Sequence, residues 1–145
     1  MSITIASAHG SVYIQLMETT TRARKVGQGS KWCRPSTRLA LYSRDGFACV
    51  CCQATAEDGA VLTLDHVVAC ELGGTNDPTN LVTMCLSCNS AKQDLTQRAW
   101  AKYLREVYAW DAAATTAYLR RVKRQTARKL DRNEGRRLLA LRRAA

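Results

Sequence analysis

Two pairs of cysteines stand at the spacing of a metal knuckle, Cys49-x2-Cys52 and Cys85-x2-Cys88. Between them lie Asp65-His66 and Asn80, and Asn89 directly follows the last cysteine. Four thiolate sulfurs suit Zn2+ and close a tetrahedral site with no position left for substrate, so a zinc ion held there is structural. A disulfide framework would suit an exported chain, but the cysteines number seven, an odd total. Basic residues in the N-terminal stretch follow its apolar part rather than precede it, so the chain is expected not to be exported, and paired C-x2-C units then favour zinc. Cys33, Cys51 and Cys70 are left as bystanders, with Cys51 inside the first knuckle. A redox role for the pairs would need thiols that zinc removes.

The residues between the knuckles suggest a second, harder metal site. A carboxylate and an amide oxygen can hold a divalent cation while an adjacent imidazole activates water. A histidine beside an aspartate is also often only a satisfied polar pair; the position of His66 between the knuckles, with Asn80 and Asn89 in register, favours chemistry.

Charge is divided unevenly along the chain, whose 145 residues carry a formal +10. Residues 1–38 hold six basic and one acidic side chain, residues 39–97 two and seven, and residues 98–145 fourteen and four, giving +5, −5 and +10. The flanks suit nonspecific neutralisation of phosphates, whereas the acidic centre needs a cation before it can approach the same backbone. Arg120, Arg124, Arg128, Arg132 and Arg136 recur every four residues, as a DNA-backbone arm or as a solvated helix face paired to Asp131 and Glu134. Lys92 is a candidate phosphate contact, with a solvated lysine as the equal alternative. No apolar run is long enough to cross a bilayer.

These residues must be positioned by short elements. Pro35-Ser36 starts a helix carrying Leu39, Ala40 and Tyr42, and Arg44-Asp45-Gly46 turns into the first knuckle. Val61, Leu62 and Leu64 predict a strand ending at Asp65-His66, with Val67 to Cys70 able to continue it, and Leu72 to Pro78 reads as loop. Ser87 is placed to cap a helix running past Lys92. Trp100, Leu104, Val107 and Tyr108 share a helical face, read as packing rather than base stacking. Asp111 caps a further helix from Ala112 to Leu130, and Gly135 ends or kinks the last one. In the first thirty residues Ile3, Ile5, Val12, Ile14 and Leu16 alternate around His9-Gly10, compatible with a weak hairpin or with disorder.

The order Cys49-x2-Cys52, Leu64-Asp65-His66-Val67, Gly73-Gly74, Asn80-Leu81 and Cys85-x2-Cys88-Asn89-x2-Lys92 resembles the HNH endonucleases with a zinc-braced core, over about residues 36 to 98. The resemblance implies an α+β fold: a small ββα-metal core at 36–98 with a four-cysteine zinc site, an N-terminal extension at 1–35 and a basic helical region at 99–145. It implies that His66 is the general base for water, that Asp65 is a metal ligand, and that Asn80 braces the loop and orients His66. Asn89, where many members carry the last histidine, would be the second ligand, an H-N-N variant. An oxygen-only pair favours Mg2+ or Mn2+. The expected function is then metal-dependent cleavage of DNA, in the cytoplasm of a bacterial or phage-infected cell, in a setting such as homing, restriction or phage packaging. A single such site cuts one strand, so a double-strand break needs a homodimer, a second nuclease or two sequential nicks. The alternative is a noncatalytic zinc-ribbon-like module that binds nucleic acid.

Overall fold

A computed structural model describes residues 32–145; the expected hairpin, and His9 with it, lies outside the described residues. Helix α1, Pro35–Arg44, opens on a proline at its first position, where the fixed φ suits the helix and the missing N–H costs nothing. After the first knuckle, strands β1, Leu62–His66, and β2, Leu81–Cys85, pair antiparallel, with Leu62 opposite Cys85 and His66 opposite Leu81. Four helices follow: α2, Leu86–Lys92; α3, Gln97–Val107; α4, Ala112–Ala127; and α5, Arg132–Ala144. The result is a mixed α+β domain around a two-stranded sheet. No described helix is long and apolar enough to cross a membrane.

Alternation along the strands sends neighbouring residues to different sides. Leu64 and Leu81 join Cys33 and Leu41 in a small cluster under α1. Val82 and Met84 face the other way, into the main core with Trp100, Leu104, Tyr118 and Val122. Every residue of β2 is therefore buried, covered by helices on both faces. The main core also holds Cys49, Val50, Cys51, Cys85 and Cys88, so α3 and α4 share one apolar cluster with the knuckles and the packing runs uninterrupted across residue 98.

Arg44, which is buried, and Arg121 tie the parts together. Arg44 pairs with Asp45 at 2.7 Å and donates to the carbonyls of Pro78 and Leu81 at 2.8 and 2.6 Å, while Asp45 accepts from the amide of Thr83 at 2.8 Å. Paired and hydrogen-bonded on all sides, the two charges tolerate burial. Arg121 of α4 reaches the carbonyls of Val50 and Cys51 in the first knuckle at 2.8 and 2.9 Å.

Several expected details differ. Strand β1 stops at His66, and a 3-10 turn at Cys70–Leu72 replaces its continuation. Cys85, not Ser87, caps α2: its sulfur accepts from the amide of Cys88 at 3.4 Å, because the knuckle already places that sulfur over the open helix end. Asp111 does cap α4, accepting from the amide of Ala114 at 2.6 Å. Val107 is 52 % exposed, at the last position of a helix whose buried face includes Trp100, Ala101 and Leu104. Gly135 neither ends nor kinks α5. It is buried within the helix where α5 crosses α1, and a Cβ there would fall 2.1 Å from the carbonyl oxygen of Ser36. Its role is close approach of two helices.

Candidate metal centre and active site

The knuckle sulfurs of Cys49, Cys52, Cys85 and Cys88 all lie within 4.8 Å of one another, with Cys52 and Cys85 3.8 Å apart. A tetrahedral zinc with Zn–S bonds of about 2.3 Å requires sulfur separations of about 3.8 Å, so the four residues fit that ion. Without a cation the sulfurs must share protons. Hydrogen bonding from Cys49, then Cys52 and Cys88, pulls Cys85 well below the usual thiol value, while bonding to Cys49 first, and to the other sulfurs, pushes Cys88 up. A divalent ion resolves this conflict by making all four thiolates. Cys33 and Cys51 are buried in apolar clusters and Cys70 is exposed, all three outside the four-sulfur set.

His66 and Asp65 are the last two residues of β1, and the pleat gives them different neighbours. Asp65 faces the helices and is only 5 % exposed. Its Oδ1 accepts from Lys92 Nζ of α2 at 3.1 Å, and its Oδ2 from Gln97 Nε2 of α3 at 3.1 Å. Tyr118 of α4 stands behind, its hydroxyl donating to Gln97 Oε1. Burial pushes the Asp65 carboxyl above the usual carboxylate range, and the Lys92 charge and the two hydrogen bonds pull it back. Lys92 is accordingly not at the surface where a phosphate contact was expected: it is wholly buried, and its charge is balanced by Asp65.

His66 faces the α1 side. Its Nε2 lies 2.8 Å from Asn76 Oδ1, and its ring packs against Trp32 with centroids 5.0 Å apart. Arg38 sits over that indole at 5.5 Å, a cation–π contact. An amide oxygen only accepts, so Nε2 carries the hydrogen, and whenever the imidazole is neutral its lone pair is on Nδ1.

Asn80 closes the loop that carries Asn76. Its Nδ2 donates to the carbonyls of Val68 and Thr75 at 3.0 and 2.9 Å, and its Oδ1 accepts from the amide of Val68 at 2.9 Å. Asn80 thus braces the loop, but the residue that meets His66 is Asn76. In the same loop Gly74 is required, since a Cβ would stand 1.7 Å from the carbonyl oxygen of Val68.

Asn89 of α2 shares Asp65's side of the sheet. Its Nδ2 donates to Thr63 Oγ1 at 2.9 Å and the Leu64 carbonyl at 3.1 Å, which fixes the amide with its oxygen turned away from those acceptors. A carboxylate offers about four acceptor positions. Lys92 Nζ lies 3.1 Å from both oxygens of Asp65 and Gln97 Nε2 3.1 Å from Oδ2, and Asp65 and Asn89 offer only oxygen as ligand atoms. Oxygen donors of this kind are the type that hard cations such as Mg2+ or Mn2+ prefer.

Of the arginines expected to form an arm, Arg120 and Arg124 are exposed on α4. Arg128 ends that helix and donates to the carbonyl of Arg44 at 2.7 Å. The four-residue recurrence therefore runs over two separate helices and makes no single ridge. Asn76, Trp32, Gln97 and Tyr118 carry no local sequence signal that ties them to the site. A Thr-Asn-Asp-Pro run reads as an ordinary turn, and only the fold brings it back to His66.

The family model of the HNH endonucleases matches residues 49–104, from the first knuckle through most of α3. Over that stretch the chain is similar to the HNH endonucleases. No curated protein and no solved structure matches it.

Proposed function

We propose that the protein is a metal-dependent endonuclease that hydrolyses phosphodiester bonds in DNA, with His66 as the general base. The observation that carries this reading is the hydrogen bond from His66 Nε2 to Asn76 Oδ1, which leaves Nδ1 as the proton-accepting nitrogen. Trp32 limits rotation of the ring, so the lone pair keeps one direction. Nδ1 removes a proton from the attacking water, and the resulting hydroxide adds in line to phosphorus as the 3′ oxygen departs. Asp65 and Asn89 would hold Mg2+ or Mn2+. When bound, that ion supplies charge stabilisation at the scissile phosphate and at the departing oxygen. Lys92 and Gln97, with Tyr118 behind, keep the Asp65 carboxylate in one orientation. The zinc at Cys49, Cys52, Cys85 and Cys88 has no open position and serves the fold.

The test is nicking of supercoiled plasmid in Mg2+ by wild type and by His66→Ala. The variant should keep its zinc and its DNA affinity and lose cleavage. Cleavage by His66→Ala at the wild-type rate would overturn the assignment. Wild type that never nicks under any divalent ion would favour a binding module in its place.

A further inference from the structure

The close crossing of α1 and α5 at Gly135 does more than pack two helices. It brings Arg34, which precedes α1, together with Arg132 and Arg136, one turn apart on α5. With Ser36 and Thr37 these arginines line a cavity of about 90 Å3. No carboxylate lines it, and none of the three arginines is in an ion pair among the described residues. Arg136 is steadied by Asn133 Oδ1. The acids nearby are occupied: Asp131 accepts from the amides of Asn133 and Glu134 at 2.9 and 3.0 Å, and Asp77 from the amide and hydroxyl of Thr79 at 2.9 and 2.7 Å. Three arginines lining one small cavity concentrate positive charge there, and their planar forks with two hydroxyls suit phosphate oxygens.

Two links tie the cavity to the candidate active site. Arg34 is two residues from Trp32, which packs on His66. On the other side, hydrogen bonds from Thr79 first, and then the charge of Arg132, hold the Asp77 carboxyl below its usual range, and Asp77 adjoins Asn76, the partner of His66.

We propose that this cavity seats a backbone phosphate of the DNA strand that lies across His66, a phosphate other than the one being cut. The inference rests on the nuclease reading for the identity of the strand. It moves the principal phosphate contact from α4 to the crossing of α1 and α5.

The test is binding of a labelled DNA duplex by the full chain across a salt series without added divalent ion. Arg132→Gln with Arg136→Gln should reduce the slope of log affinity against log salt by about 0.9, the value for one phosphate contact. It should weaken binding by roughly tenfold, the loss of one charge-assisted contact. Arg34→Gln, at the start of the other helix, should weaken binding in the same sense. Arg142→Gln with Arg143→Gln removes the same charge from the far end of α5 and should have less than half the effect. Equal effects of the two double variants would overturn the site in favour of a diffuse field. If inorganic phosphate at constant ionic strength saturates the cavity while Arg132→Gln with Arg136→Gln binds DNA like wild type, the occupant is a free anion and the backbone assignment fails. Plasmid nicking separates the two readings. Absent cleavage with the expected slopes leaves the phosphate seat standing, whereas intact cleavage with unchanged slopes removes only the seat.

Discussion

His66 and Asn76 are ten residues apart and meet at 2.8 Å, imidazole Nε2 to amide oxygen. Because the amide oxygen can only accept, this contact selects the tautomer of the histidine. Asn76→Ala should therefore lower plasmid nicking by roughly 10- to 100-fold while zinc content and DNA affinity stay at wild-type values. Asn76→Asp keeps an acceptor at the same place and should recover most of the rate. Equal losses in the two variants would mean that Asn76 acts only through the loop.

The zinc centre carries its own expectation. One zinc ion should copurify per chain, and its removal by a chelator should abolish the cooperative thermal transition, since Cys49, Cys85 and Cys88 lie inside the main core. Circular dichroism melts before and after zinc readdition check this. Mg2+ alone should not restore the transition, because thiolates are poor ligands for that ion.

Lys92 offers a stability test that also reports on the proposed second metal. Lys92→Met leaves Asp65 buried without its cation, and removing one partner of such a pair costs about 3–5 kcal/mol. Lys92→Met combined with Asp65→Asn should recover much of that loss in chemical denaturation. If Asp65 is a ligand for Mg2+, adding Mg2+ should raise the melting temperature of Lys92→Met more than that of wild type. An equal rise in both would count against Asp65 as a ligand.

Gly135→Ala tests the crossing of α1 and α5. The new methyl would press on the Ser36 carbonyl and on Ala40 Cβ, 2.7 Å away, and the strain should cost about 1–3 kcal/mol although alanine is the better helix former. A stabilised variant would show that the helices can move apart freely.

How much of this could be read beforehand follows from the range of the interactions. The four cysteines announce themselves because C-x2-C spacing is local, and Pro35 and Asp111 mark helix starts for reasons contained within one turn. Asp65 and His66 were legible as a pair, but not the division of their neighbours, which needs the strand end and the helices packed on one side of it. Lys92 looked like a surface residue because its partner is 27 positions away. Gly135 looked like a helix terminator because a glycine at a helix crossing and one at a helix end are the same letter. Asn76 was invisible for the same reason as Trp32: each acquires its meaning only by contact with His66.

The hold of Arg121 on the carbonyls of Val50 and Cys51 has a consequence for portability. The family signature ends at residue 104, yet Tyr118 and Val122 fill the same core and Arg121 grips the first knuckle from beyond that limit. The unit that can be recognised is therefore smaller than the unit that can fold. Residues 49–104 transplanted alone into another protein would bring the four knuckle cysteines and the proposed active-site residues but not the helix that seals the knuckle, and a host would have to supply a surface of equivalent shape.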